Sequence, residues 1–268
     1  MIRQPAVAGR FYPNDPAELR AAIHEFIEPA VPKVPVIGAV IPHAGYVYSG
    51  HVAGSVFSRI QIPKRTIVLC PNHTGLGPPL AIMPSGAWQT PLGTVAIDEE
   101  LSDALMVADP LFKNDRSAHR HEHAIEVQLP FLQYLGGPDI SFVPITVGTA
   151  NWSHLAALGA AIAEVIRAID PAIMILASSD MNHYESASVT SVKDRRAIDR
   201  VLNLDPMGLY EVIQREHISM CGYGPTTSML VAAKQLGASK AELVRYGTSG
   251  DVSGDFERVV GYAGITVV

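Results

Sequence analysis

The sequence predicts an α/β fold: a single three-layer domain over residues 1–268, in which helices flank a mixed, mostly parallel sheet. Short runs rich in β-branched residues alternate along the chain with longer stretches of helical period. The strand-like runs are apolar throughout, as expected for strands covered on both faces. No linker, internal repeat or low-complexity stretch interrupts this alternation. One domain is therefore expected.

Six apolar runs are predicted strands, and seven stretches are predicted helices. The strands are residues 36–41, 66–70, 140–147, 172–178, 242–247 and 262–268. The helices are residues 16–27, 98–107, 124–135, 153–169, 193–204, 205–216 and 225–237.

Polar residues and glycines mark several of the boundaries. Asp98 and Ser153 are placed to cap the helices that follow them, and Gly237 to end the last helix. Residues 88–98 are a predicted hairpin that turns at Pro91–Gly93. The irregular segment 108–122 is a predicted functional loop.

Composition and charge exclude several classes of protein. Hydrophobic residues make up 48% and charged residues 17% of the 268, which is typical of a globular domain. The formal net charge is -6 without a run of like charges, so neither a nucleic acid nor a membrane surface is an expected partner. No apolar stretch is predicted to span a bilayer, and the N-terminus lacks an apolar signal core. With only Cys70 and Cys221, the chain is expected to be cytoplasmic and free of disulfides.

Three predicted strands each run into a histidine. His43 follows the first strand, His73 the second, and His183 the strand that ends near residue 178. In an open α/β sheet the ligand site lies beyond the carboxyl ends of the strands, so these histidines are predicted to share one site. Imidazole is a ligand for zinc, copper, iron or nickel, and the cluster therefore predicts a transition-metal site.

Asp180 and Cys221 are further candidates, each with a structural alternative. Asp180 precedes His183 by three residues and is placed either to accept its second ring N–H or to make a turn. Cys221 lies just before a predicted helix, where a thiolate is favoured. Its local context alone favours a packed core thiol.

A fourth group of polar residues spans residues 119–126. His123 and Glu126 are three apart at a predicted helix start and share a face, so they either line the site or tie the loop down. Ile125 stands where a zinc-protease motif requires its second histidine. P-loop, dinucleotide-binding and GxSxG motifs are absent as well.

Motifs spread over the whole chain resemble those of one family. They are Arg3–Pro13, Pro42–Tyr46, Pro71–His73, Glu122–His123 with Glu126–Phe131, Ser178–Asp180 with His183, and Thr248–Asp255 with Val259–Tyr262. In this order and spread they resemble the Memo family, whose archaeal and bacterial members are called AmmeMemoRadiSam system protein B. That family is similar in fold to the class III (LigB-type) extradiol dioxygenases, which hold a non-haem iron.

The resemblance implies roles for particular residues. The family's metal pocket falls on His43, His73 and Cys221, with His183 as acid/base and Asp180 beside it as the catalytic pair. His123, Glu126 and Tyr46 are implied to line the pocket. Cys221 stands where the dioxygenases have a carboxylate, and this difference argues against ring cleavage.

The expected function is accordingly a metal-binding redox protein, an oxidoreductase of unknown substrate, with iron(II) or copper as the expected metal and zinc as an alternative. Ring cleavage of a catechol is a second hypothesis. The third is a non-catalytic module that binds a peptide or an anion, since the family's animal member is described as bridging phosphopeptides to signalling. A zinc hydrolase with Glu122 or Glu126 as base is a further alternative. The resemblance also implies a functional link to a radical-SAM partner.

Overall fold

Twelve strands form the centre of the molecule, in a computed structural model that describes residues 1–268. They are β1 Ile2–Arg3, β2 Gly38–Ile41, β3 Arg65–Pro71, β4 Leu80–Ile82, β5 Ala87–Thr90, β6 Gly93–Ile97, β7 Lys113–Asn114, β8 Ser141–Val147, β9 Met174–Ser178, β10 His183–Glu185, β11 Ala241–Thr248 and β12 Val259–Val267. The helices are α1 Pro16–Phe26, α2 Tyr46–Phe57, α3 Glu99–Ala108, α4 Ser117–Arg120, α5 Leu129–Gly136, α6 Trp152–Ile169, α7 Ala187–Leu202, α8 Pro206–Glu216, α9 Tyr223–Gln235 and α10 Gly250–Ser253, with a 3-10 turn at Glu126–Gln128.

The strands pair into one mixed sheet, in the order β1-β5-β6-β8-β3-β9-β2-β12-β10. β11 pairs with β12, and β4 pairs with both β8 and β7. The four central strands β8, β3, β9 and β2 are parallel, whereas β12 runs antiparallel to β2. The predicted α/β class with a mostly parallel centre is confirmed.

Side chains along the central strands point alternately to the two faces of the sheet, and a layer of helices packs on each face. Ile67 and Leu69 of β3 point into one hydrophobic cluster, while Val68 and Cys70 point into the other. Helices α3, α6, α7, α8 and α9 pack on the first face, and α1, α2 and α5 on the second. Successive strand residues face opposite sides of a sheet, so a strand buried on both sides must be apolar throughout.

Most predicted boundaries agree with the structure, and the exceptions have identifiable causes. Asp98 caps α3 by accepting from Leu101 N, and Gly237 follows α9 with a positive φ of 94°. The cap of α6 is Asn151, whose side chain accepts from Ser153 N, so the prediction that Ser153 is the cap was wrong. The prediction of a continuous helix over residues 124–135 was also wrong. The regular helix begins only at Leu129 and has a proline in its first turn.

No element was predicted for residues 46–57, where α2 lies. Its sequence combines glycines with β-branched residues, which have low helix propensity. Tertiary packing outweighs propensity here, since nine of its twelve residues are buried. Gly50 and Gly54 provide the space for the Phe26 ring and backbone, which a Cβ at either position would meet.

By length and composition alone, helix α6 is long and apolar enough to cross a membrane. No such stretch was predicted from the sequence. Its apolar side packs in the core through Leu155, Leu158, Ile162 and Ile166. At Gly159 a Cβ would meet the backbone of α9, so the two helices are in close contact. Core helices of globular domains have this same composition.

Asp98 connects three elements, which predicts a measurable stability cost when it is removed. Its carboxylate accepts from Arg65 at 2.6 and 2.7 Å and from Ser141 Oγ at 3.0 Å, besides capping α3. Asp98→Ala is expected to lower the free energy of unfolding by about 2–4 kcal/mol, because a cap and charge-assisted hydrogen bonds are both lost. Urea denaturation measures this. Asp103→Ala, on the exposed side of the same helix, should change it by less than about 0.5 kcal/mol.

Candidate metal centre

A cavity of about 600 Å³ opens at the carboxyl ends of β2, β3 and β9. Six side chains with metal-binding or proton-transfer chemistry line it, together with the aromatic rings of Phe11, Tyr184 and Tyr262. The six are His43, His73, His123, Asp180, His183 and Cys221. The side chains that follow the three parallel strands therefore meet at one rim, as the position of the strand ends requires.

Three imidazoles form the centre of this cavity. One ring nitrogen from each of His43, His73 and His123 lies within 4.8 Å of the others. The His73 and His123 rings stack with their centroids 4.8 Å apart, and the His43 ring stands edge-on to both. His183 also lines the cavity but is not in this cluster, so the third member is His123.

The orientation of His43 is determined by a chain of hydrogen bonds beneath it. Its Nδ1 lies 3.0 Å from Ser178 Oγ, and that hydroxyl donates its only proton to Ala124 O at 2.7 Å. His43 Nδ1 must therefore carry the hydrogen, and the lone pair on Nε2 faces the Cys221 thiol. Burial, followed by the neighbouring imidazoles, lowers the pKa of His43 well below its usual value. A neutral imidazole with Nε2 free is the metal-binding form.

Glu122 orients His73 in a similar way. Its carboxylate accepts from His73 N at 2.6 Å, from His73 Nδ1 at 2.9 Å and from Ala124 N at 3.0 Å. Burial opposes ionisation of Glu122, but these bonds and the charge of His73 outweigh it and lower its pKa to about 2. The same carboxylate raises the pKa of His73 despite burial. Because Glu122 accepts from Nδ1, the neutral form of His73 has its lone pair on Nε2.

Cys221 lies beside His43, on the wall of the cavity. Its Sγ is 3.2 Å from His43 Nε2 and 3.7 Å from Asp180 O. Although Gly222, the next residue, caps α9, burial and the Asp180 carboxylate raise the pKa of the thiol well above its usual value. Burial therefore outweighs the helix terminus, which by itself would favour the thiolate.

Asp180 and His183 lie on the cavity wall without contacting one another by a hydrogen bond. Asp180 Oδ1 accepts from His43 N at 2.7 Å, and its Oδ2 lies 4.0 Å from His43 Nε2. His183 Nδ1 donates to Ser219 O at 2.9 Å. Asp180 therefore positions His43, and the Nε2 of His183 is free to face the cavity.

A family model described as Memo-like protein matches residues 3–266 of the chain. The chain belongs to the Memo family. A MEMO1 family protein of Methanopyrus kandleri is 45% identical to it, over 99% of this chain and 98% of its own length. One from Methanothermobacter thermautotrophicus is 42% identical, over 98% and 99% respectively. The crystal structure of an uncharacterized protein from Escherichia coli K12 shares the fold, with a TM-score of 0.57 at 12% identity over 85% of this chain and 98% of its own.

Glu126 of this Memo-family chain does not line the cavity. Its buried carboxylate accepts four hydrogen bonds from the N-terminal segment. The donors are Arg3 Nη1 at 2.7 Å, Ala6 N at 2.8 Å, Val7 N at 3.0 Å and Tyr12 OH at 2.7 Å. This explains the run Arg3–Pro13 as the part of the sequence that surrounds one buried charge.

Tyr46 is likewise buried outside the cavity wall. Its hydroxyl donates to Val127 O at 2.7 Å, and its ring packs on Phe131. Phe11 lines the cavity instead of Tyr46, with its ring centroid 4.8 Å from that of His123. Phe11 was not predicted from the sequence, because an aromatic residue in an N-terminal loop carries no indication of which distant segment it meets.

Arg3 connects the N-terminal strand to the segment that carries His123 of the cavity. It donates to His119 O at 2.6 Å, to Glu122 O at 2.7 Å and to Glu126, and its guanidinium lies 4.0 Å from the Trp88 ring centroid. These bonds fix the backbone on both sides of His123. The position of His123 therefore depends on a residue more than a hundred positions away.

Removal of Arg3 is predicted to destabilise the protein severely. Arg3→Met leaves the Glu126 carboxylate buried without its positive partner, which should cost about 3–5 kcal/mol in the free energy of unfolding. Denaturant unfolding followed by tryptophan fluorescence measures the change. Arg3→Lys keeps the charge and should cost less. A loss below about 1 kcal/mol for Arg3→Met would contradict the role of this ion pair.

Proposed function

We propose that this Memo-family chain is a metal-dependent redox protein that holds one iron or copper ion through His43, His73, His123 and Cys221. The observation that carries the proposal is the convergence of three imidazole nitrogens within 4.8 Å. Donor atoms bound to one ion at about 2.0–2.3 Å lie within roughly 4.5 Å of each other, so small side-chain adjustments bring this cluster to that spacing.

The chemistry of the donor set supports a transition metal. Imidazole and thiolate favour zinc, copper and iron over magnesium and calcium, which prefer oxygen ligands. Ser178 and Glu122 hold the Nδ1 atoms of two of these histidines, as orienting partners of metal ligands commonly do. A bound metal would also displace the proton that burial keeps on Cys221.

When bound, the metal would supply one-electron exchange, and the surrounding residues would manage protons and access. His183, with Nδ1 on Ser219 O, has Nε2 free to accept a proton from a ligand in the cavity. Asp180 stays on the His43 backbone and fixes that ring. Phe11, Tyr184 and Tyr262 surround the opening with aromatic surface. The proposed compartment is the cytoplasm, where both cysteines would remain reduced.

Metal analysis of protein purified without oxygen tests the site. The wild-type chain is expected to retain close to one equivalent of iron or copper, since three imidazole nitrogens lie within 4.8 Å of each other and Cys221 Sγ lies 3.2 Å from His43 Nε2. His43→Ala and His123→Ala should each leave less than about a tenth of an equivalent, because each removes a ligand. His24→Ala, an exposed histidine on α1, should retain the wild-type amount. Equal metal content in all four proteins would overturn the proposal.

The positioning role of Glu122 gives a graded version of the same test. Glu122→Gln keeps the shape but removes the charge that faces His73, and a loss of about 10–100-fold in metal affinity is expected. Competition with a chromogenic chelator measures it. An affinity within a factor of two of wild type would contradict this role.

Two experiments distinguish a redox protein from a non-catalytic binding module. A redox protein should show a metal-centred couple in electrochemical titration that shifts in Cys221→Ser, because the thiolate donates charge to the metal. If His73→Ala lacks metal yet binds a peptide or anion as wild type does, the non-catalytic module is the correct function. Oxygen uptake with catechols by the Fe(II) form would instead establish ring cleavage.

A further inference from the structure

A second cavity, of about 420 Å³, lies between the N-terminal strand and the segment around α4, and shares no lining residue with the metal centre. Its volume is in the range of small-molecule sites, about 300–1,000 Å³. Arg116, Arg120 and His121 line one part of it, and Met83 and Ile2 lie among the apolar residues of its wall. Arg3 also reaches the wall, but its guanidinium is occupied by internal hydrogen bonds.

Arg116 has hydrogen-bonding capacity to spare. Its side chain contacts Met1 Sδ at 3.1 Å and Ser85 Oγ at 3.4 Å, and no carboxylate. A thioether is a weak acceptor and 3.4 Å is a long hydrogen bond, so both contacts are easily exchanged for a stronger one. By contrast Arg65 makes two bonds to Asp98 and one to Glu100.

Arg120 and His121 are exposed at the same cavity and make no side-chain hydrogen bond or ion pair. The carboxylates nearest in sequence are turned elsewhere. Asp115 accepts from Ser117 Oγ and Ala118 N, and Glu122 is buried on the side of His73. Two guanidinium groups thus face one cavity without a negative partner, in a chain whose net charge is -6.

We infer that this cavity binds the anionic group of a small molecule, a phosphate or a carboxylate, between Arg116 and Arg120. Guanidinium groups match both oxyanions with paired N–H donors, and charge-assisted bonds of this kind are about twice as strong as neutral ones. His121 adds ring nitrogens on the same wall of the cavity. The apolar part of the wall accommodates the body of the ligand.

Isothermal titration of the full chain with inorganic phosphate, at an ionic strength held constant with chloride, tests the site. Citrate forms the second arm and separates carboxylate from phosphate recognition. Saturable binding of either anion is expected, and Arg116→Gln with Arg120→Gln should weaken it at least about tenfold, since both charged donors are lost. The matched control removes two exposed arginines elsewhere, Arg20→Gln with Arg167→Gln, and should bind as wild type does.

Two further variants show whether the anion binds in this cavity or at the metal centre. His43→Ala should bind the anion normally, because the cavity does not depend on the metal centre. Arg120→Glu, which changes one exposed side chain and keeps the fold, should abolish binding. The inference is overturned if neither anion saturates, or if the control pair loses as much affinity as the cavity pair. Loss of anion binding in His43→Ala would also overturn it, by assigning the anion to the metal centre.

Discussion

Two buried carboxylates, four residues apart, hold the site together. A carboxylate out of contact with water stays charged only if hydrogen bonds and positive groups surround it. Glu126 obtains these from the N-terminal segment and Glu122 from the residues around His73. Because both carboxylates flank His123, the requirement to satisfy them brings three distant parts of the chain to one place. The meeting of His73 with His123 is a consequence of that requirement, whereas His43 follows the end of β2 and is held by Asp180 and Ser178.

The pattern of strands and helices was sufficient to predict the layers and the position of two of the three clustered imidazoles. Continuous apolar runs alternating with helical stretches determine a covered, largely parallel sheet, and its strand ends place His43 and His73 at one rim. His123 follows no strand. Its position depends on Arg3, and local periodicity carries no information about a contact over that separation. The same limit explains α2, whose burial compensates for a sequence of low helix propensity.

The three-residue spacing of His123 and Glu126 did not decide whether their side chains point the same way. The shared helical face of His123 and Glu126 allowed them either to line the site or to tie the loop down, and the family resemblance implied that both line the pocket. Only His123 lines it. Regular helix starts later than the pattern suggested, at Leu129, and the intervening 3-10 turn sends Glu126 toward the N-terminal segment. Motif spacing identified the right residues, but the local backbone decides which of them contacts a ligand.

The proposed function depends on whether four side chains contact one ion. X-ray absorption spectroscopy of the iron- or copper-loaded protein tests this most directly, since it counts nitrogen and sulfur ligands separately. The expected spectrum contains three imidazole ligands and one sulfur at about 2.3 Å, and the sulfur contribution should disappear in Cys221→Ser. A spectrum with fewer than three imidazoles, or one without sulfur in the wild-type protein, would contradict the proposed ligand set.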